Sequence, residues 1–239
     1  MRIIAGTHKG RLLSAPTGKT TRPTADRVRQ SLFDTLLHAP WGGRALFENC
    51  HVLDAFAGTG ALGLEALSRG AKAISFFETN HLALSHLRGN IRACRAEEHC
   101  FVFAQDVTKP PQKLPQNIPP ATLIFLDPPY YSRLAPHALH VLFRHGWIAP
   151  HAIAVLETAH DEILPFGVPP DSVCPTRITR DTSKKRFSQE NLKPPPTKPK
   201  KTEKQVKQTK QEKLFSLPLS LLTTRHHGAA FLSLWQFEA

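Results

Sequence analysis

The feature that most constrains this chain is an alternation that starts at His51. Short apolar runs, VLDAF, AISFFE, FVFAQD, TLIFLD and AIAVLE, are interleaved with helix-like segments: ALGLEALSRG closed by Gly70, a stretch from about Asn80 to Cys94, and another from about Leu134 to His145. Strands alternating with helices imply βαβ crossovers and a mostly parallel sheet covered on both faces. Sheets of this kind carry their ligands outside the carboxyl ends of the strands, near a topological switch point. The chemistry is therefore to be sought where these apolar runs end.

The flanks of the alternation read differently. At the start, Ile3-Ile4 and Leu12-Leu13 bracket the turn-rich Gly6-Thr7-His8-Lys9-Gly10, the pattern of a β-hairpin. After Pro23, Val28, Leu32, Thr35 and Leu36 recur at helical spacing, predicting an amphipathic helix that exposes Arg27, Gln30 and Asp34. Near the other end, LSLLTTR and AAFLSLWQF flank His226-His227-Gly228 and predict a second hairpin completing the sheet edge. Between the two parts of the sheet, residues 167–213 are rich in Pro, Lys, Thr and Gln and poor in large apolar residues, so they are expected to be a disordered insertion within the fold. The expected organisation is an N-terminal hairpin and helix over residues 1–40, a core over 41–166 and 214–239, and this basic insertion.

The net charge of +12 is unevenly placed. Residues 184–213 hold eleven Lys/Arg against three acids, and residues 1–38 hold seven against two, so these stretches carry +8 and +5 and leave the body close to neutral. Basic clusters that displace phosphate counterions are the footprint of nucleic-acid binding, although a lysine-rich tail also serves solubility alone. Four cysteines without a C-x-x-C pair argue against a zinc knuckle or a disulfide framework. Apolar runs fall short of the ~18 residues that a membrane span needs, and the first residues lack the apolar core of a secretory signal. A cytoplasmic location is the expectation. The thirteen histidines form no H-E-x-x-H or H-x-x-E-H pattern, so no metal is expected.

Several carboxylates mark the strand ends. In VLDAFAGTGALG the strand ends at Asp54, and Gly58, Gly60 and Gly63 make a G-x-G-x-x-G turn into a helix, with Glu78 ending the next strand. Glycines let the backbone approach a ligand, and an acid after the second strand suits a ribose diol. That pattern fits a dinucleotide and S-adenosylmethionine about equally. Asp54 and Glu78 would oppose a pyrophosphate over the helix N-terminus, whereas a sulfonium cofactor with an amino-acid end tolerates them. The acidic lining thus favours S-adenosylmethionine, and Asp106, at the end of FVFAQD, could accept a hydrogen bond from an adenine amine or simply cap a turn.

The strongest local signal is Asp127-Pro128-Pro129-Tyr130 after the apolar run TLIFL. Two prolines fix φ and remove two donors, leaving the Asp127 carboxylate and the Pro128 carbonyl as acceptors on a rigid turn. Together they could hold both protons of an exocyclic amine and aim its nitrogen at a methyl sulfonium. Tyr130 offers a face on which an unpaired base can stack, worth about 1–3 kcal/mol in such contacts.

With VLDAFAGTGALGLEALSRGA, FLDPPY, TRPTADRVRQSLFDTL and RHHGAAFLSL in place, the chain closely resembles the bacterial 16S rRNA (guanine-N2)-methyltransferase family of RsmD type. The resemblance covers roughly residues 1–165 and 217–234. It implies a Rossmann-like class I methyltransferase of the α/β class, with a seven-stranded, mostly parallel sheet, helices on both faces and an N-terminal hairpin-plus-helix extension. By position, Asp54, Gly58 and Gly60 would cradle the methionine part of S-adenosyl-L-methionine, Glu78 the ribose and Asp106 the adenine. Asp127, Pro128, Pro129 and Tyr130 would form the catalytic turn that holds the guanine. The extension would contact RNA through Lys9, Arg11, Arg22, Arg27 and Arg29, with 16S rRNA or the small ribosomal subunit as partner and a monomer as the working form.

Two departures from the family pattern stand out: His227-Gly228 replaces an aromatic-glycine pair, and the basic insertion is additional. The rival readings are a DNA adenine-N6 methyltransferase, which the same D-P-P-Y would serve but for which little room remains for a target-recognition domain, and a noncatalytic RNA-binding assembly factor. A nicotinamide-dependent oxidoreductase would leave D-P-P-Y unexplained.

Overall fold

The computed structural model describes residues 1–16, 23–48, 50–162, 217–227 and 230–238. The basic insertion, Arg22 and Gly228 lie outside the described residues. Four helices, α1 (Pro23–His38), α2 (Ala61–Ser68), α3 (His81–Ala93) and α4 (Leu134–Arg144), accompany seven strands among the described residues. The strands are β1 (His51–Asp54), β2 (Ala73–Phe77), β3 (Cys100–Phe103), β4 (Ala121–Leu126), β5 (Ile148–Ala159), β6 (Leu219–His227) and β7 (Ala230–Phe237).

They form one sheet in the order β3-β2-β1-β4-β5-β7-β6, parallel except for the antiparallel β7, which separates β5 from β6. The expected hairpin near the C-terminus is this β6–β7 pair. The order reverses between β1 and β4, so the turns that follow these two strands open side by side, at the switch point where such sheets bind ligands.

Burial is nearly continuous along the central strands because both faces are covered, and successive residues point to opposite faces. Val52, Leu123, Phe125, Ile153, Val155, Leu232 and Leu234 meet α1, α2 and α3 on one face. Leu53, Ile124, Leu126, Ala154, Leu156, Phe231 and Trp235 meet α4 and Trp147 on the other. Each large side chain so buried contributes about 1.5–3 kcal/mol. Helix α3 is capped by Asn80, whose side-chain oxygen accepts the N–H groups of Leu82 and Ala83 at 3.0 Å each.

The N-terminal hairpin is minimal. Its arms meet at the bridge between Arg2 and Leu12, backed by the bonds Ile3 N to Arg11 O (3.0 Å) and Gly10 N to Ile3 O (2.9 Å). Gly6, at φ +81°, lies so close to α2 that a Cβ would fall 1.7 Å from the Ser68 carbonyl oxygen. Only glycine fits there.

Helix α1 forms as its apolar spacing predicts and exposes Arg27, Gln30 and Asp34, but its buried stripe is rotated from the predicted one. Leu32, Phe33 and Leu36 are buried, Val28 and Thr35 are only half-buried, and Arg29 shares the inner face. The Phe33 ring packs against Phe125 of β4 (5.7 Å between centroids), and the Arg69 guanidinium lies over it at 4.7 Å. This is why the helix turns that face inward.

Candidate active site

The turn after β1 is shaped by two carboxylates. Asp54 is 2% exposed, and its Oδ2 accepts the Gly63 N–H at 3.1 Å. Burial drives its pKa up to about 7, the Gly63 N–H opposing and the Glu78 charge adding to the rise. Glu78 joins the turn to the start of α3: Oε2 accepts Gly58 N–H at 2.7 Å, and Oε1 accepts Thr79 and Asn80 N–H, also at 2.7 Å. Gly60, at φ +83°, packs where a Cβ would stand 2.4 Å from Leu87. The glycine turn is thus a fixed object, held from behind by Asp54 and from the front by Glu78.

The turn after β4 lies beside it. Leu126 pairs with Leu156 of β5, so Asp127, just past the end of β4, and Glu157, within β5, stand at the same level on neighbouring chains. Tyr130 donates its hydroxyl to Glu157 Oε1 at 2.9 Å, which holds the ring against the end of β5. Pro128 is buried, whereas Asp127, Pro129 and Tyr130 are open to the cleft. No group among the described residues hydrogen-bonds the Asp127 carboxylate. The residue as a whole is exposed, yet its carboxyl group is ringed by protein, and this desolvation, followed by the charges of Glu157 and Asp54, raises its pKa to about 7. Burial raises Glu157 as well, against the lowering effect of the Tyr130 hydroxyl, and Tyr130 is itself raised by desolvation and by the Glu157 charge.

A cleft of about 650 Å³ runs between the two turns. Of the residues expected from the sequence, it is lined by Glu78, Asp106, Asp127, Pro128, Pro129 and Tyr130, together with Phe56, Phe77, Gln105 and Val107. Asp54, Gly58 and Gly60 are not on its wall; Asp54 and Gly60 act from behind it by fixing the turn. Asp106 does not end a strand, because β3 stops at Phe103; it sits in the following turn, where its Oδ1 accepts Thr108 N–H at 2.9 Å. It therefore caps that turn and reaches the cleft from it.

Among the basic residues, Lys9 and Arg11 are exposed on the hairpin and Arg27 on α1. Arg29 is a correction to the sequence expectation. At 5% exposure it donates to the Arg2 carbonyl (2.6 Å) and to Asp26 (3.0 Å), and its Nε lies 3.8 Å from the fully buried Glu65. It is part of the interior and presents no guanidinium to solvent. Arg22 lies outside the described residues. No cluster of three or more His, Cys, Asp or Glu able to hold a metal occurs among the described residues, and no helix among them is long and apolar enough to cross a membrane.

Sequence reasoning missed Glu157. The signal was available, since AIAVLE ends in an acid as VLD, FFE and FLD do, at the same edge of the same sheet. It missed Glu65 and Asn90 too, because a single polar residue inside a helix carries no motif.

The conserved hypothetical protein 95 family model matches residues 1–169. The chain is 35% identical over 164 residues to the ribosomal RNA small subunit methyltransferase D of Haemophilus influenzae, spanning 69% of this chain and 81% of that one. It is 34% identical over 165 residues to the protein of the same name from Escherichia coli strain K12, spanning 69% and 78%. Among solved structures, a Haemophilus influenzae protein described as a putative methylase superposes with a TM-score of 0.61 at 26% identity, over 100% of this chain and 98% of that one. An Escherichia coli protein described as a putative methyltransferase gives 0.66 at 24% identity with the same coverage and shares the fold.

Proposed function

The chain belongs to the conserved hypothetical protein 95 family and is a ribosomal RNA methyltransferase, and from that premise we propose that it methylates the exocyclic N2 of a guanine in small-subunit rRNA, using S-adenosyl-L-methionine. The observation that carries this reading is the placement of Asp127-Pro128-Pro129-Tyr130 across one cleft from the Glu78-anchored glycine turn.

The residues present fit the cofactor. A carboxylate offers about four acceptor positions; Glu78 spends three on backbone N–H groups and keeps one for a ribose hydroxyl. Gly58 faces open space, and the acids Glu78, Asp106 and Asp127 line the cleft where a phosphate-bearing cofactor would be repelled. When bound, S-adenosylmethionine supplies an electrophilic methyl group on a positively charged sulfur.

The chain's own residues do the rest. The ionised Asp127 carboxylate accepts one amine N–H and the Pro128 carbonyl the other, which fixes the nitrogen and enriches it in electron density. The Tyr130 ring, tethered through its hydroxyl to Glu157, stacks on the base. When methyl is transferred, the amine nitrogen would have a proton to shed, and the Asp127 carboxylate, whose raised pKa makes it a competent acceptor near neutral pH, would take it. Lys9, Arg11 and Arg27 contact RNA phosphates from the N-terminal extension.

The test is transfer of labelled methyl to small ribosomal subunits from cells that lack the endogenous activity, with the product nucleoside identified by mass. N2-methylguanosine is expected. N6-methyladenine in DNA would overturn the substrate, and absence of transfer to either would leave a noncatalytic RNA-binding role.

A further inference from the structure

The N-terminal hairpin is not merely laid on the core. Its first arm is clipped to α2: the carboxylate of Glu65 accepts the N–H of Ile4 at 2.7 Å and of Ala5 at 3.1 Å, and the Ser68 hydroxyl accepts His8 N–H at 2.9 Å. The end of its second arm is held by Asn90, on the buried face of α3 and 2% exposed. Asn90 Oδ1 accepts both the Ser14 N–H (2.7 Å) and the Ser14 hydroxyl (3.1 Å), while Nδ2 donates to the Ser14 carbonyl at 3.0 Å. The second Nδ2 proton goes elsewhere, to the carbonyl of Thr59 at 2.9 Å.

Thr59 is the residue between Gly58 and Gly60. One buried side-chain amide therefore spans the glycine turn and the hairpin that bears Lys9 and Arg11. It is fully used: both donors are committed, and its oxygen accepts twice. A buried amide in that state cannot follow one partner away from the other without leaving a polar group unpaired. Whatever fixes the Thr59 carbonyl consequently fixes Ser14.

We propose that Asn90 is a positioning residue that couples occupancy of the cofactor turn to the placement of the N-terminal RNA-contact hairpin, so that cofactor and RNA strengthen each other's binding. This rests on the cofactor and RNA assignments above. Asn90 touches neither ligand and acts through Thr59 and Ser14. Such linkage is reciprocal, with factors of about 5–150 typical between coupled sites.

The first test uses the unaltered full-length protein and S-adenosylhomocysteine. Amide hydrogen exchange should slow in residues 57–61 and, with it, at residues 13–15, where the Ser14 N–H is bonded to Asn90. Slowing at 57–61 without any change at 13–15 overturns the coupling while leaving the cofactor site intact. No slowing at either segment overturns the cofactor assignment and the coupling with it. The second test measures S-adenosylhomocysteine affinity with and without 16S rRNA. In the unaltered protein RNA should tighten it about fivefold or more; in Asn90→Ala each ligand should still bind alone while the factor falls below about two. An unchanged factor in that variant sinks the proposal, and Asn90→Ser, able to donate to only one of the two carbonyls, should lose the coupling as Asn90→Ala does.

Discussion

The two halves of the cleft use carboxylates in opposite ways. In the cofactor half, Glu78 accepts three backbone N–H groups, and Glu65, behind it, accepts two more from the hairpin together with the Arg69 Nε at 2.8 Å. In the methyl-acceptor half, Asp127 has no hydrogen-bond partner among the described residues, and Glu157 has the Tyr130 hydroxyl. Acids largely occupied by N–H donors organise backbone and are not free to take a substrate proton. Acids left without N–H donors are raised by burial, the Glu157 charge adding to the rise at Asp127, and remain available to hold a substrate proton. Asp54 stands between these cases, buried with one N–H bond, and its pKa is raised accordingly.

The comparison breaks most visibly if an organising acid is removed. Glu65→Ala strips the Arg69 guanidinium of its carboxylate, leaves the buried Arg29 with Asp26 as its one acid, and orphans the N–H groups of Ile4 and Ala5. Removing one partner of a buried charge cluster costs about 3–5 kcal/mol, and urea unfolding should show a loss of that size. A loss under about 1 kcal/mol would mean that the hairpin is held by its apolar contacts, Ile3 and Leu13, and not by the carboxylate.

The reacting acid should behave in the converse manner. Asp127→Ala removes no structural hydrogen bond and relieves the fold of a desolvated carboxylate, so unfolding free energy near neutral pH should hold or rise, while S-adenosylhomocysteine affinity stays close to that of the unaltered protein. Methyl transfer should fall by about 10²–10³, the range for losing one oriented group at the reacting centre. A variant that loses stability and activity together would place Asp127 with the organising acids instead.

The difference between the halves also governs how much was legible beforehand. The sheet was, because strand–helix alternation depends on apolar periodicity that both cores reward. The D-P-P-Y turn was, because two prolines leave the backbone few conformations. Arg29 was not: a basic residue within a basic stretch looks solvated, and its inward direction depends on Glu65, thirty-six residues on in another element. Its helical phase did hold a clue, since 29, 32, 33 and 36 fall on one face. Reading 28, 32, 35 and 36 as the buried set rotated the stripe and turned Arg29 outward. Asn90 and Glu157 depend likewise on register between distant segments, which no local pattern records.

The smallest effect tests the acceptor half from within. Asp127 must be ionised to accept an amine proton, and its pKa of about 7 makes kcat/KM climb as pH rises through neutrality. Burial is the main cause of that raised value and the Glu157 charge the second, so Glu157→Gln should move the acid limb to lower pH by less than about one pH unit, near 1 kcal/mol at most. The direction follows from removing a negative neighbour, which makes ionisation of Asp127 easier. A glutamine oxygen can still accept the Tyr130 hydroxyl, so the ring should keep its place and the rate on the high-pH plateau should change little. A pH–rate profile from about pH 5.5 to 8.5 separates the possibilities. A shifted limb with the plateau retained means that Glu157 acts through charge. An unshifted limb with a lowered plateau means that its part is to hold Tyr130, and the facing pair would then be one more organising acid beside one reacting acid.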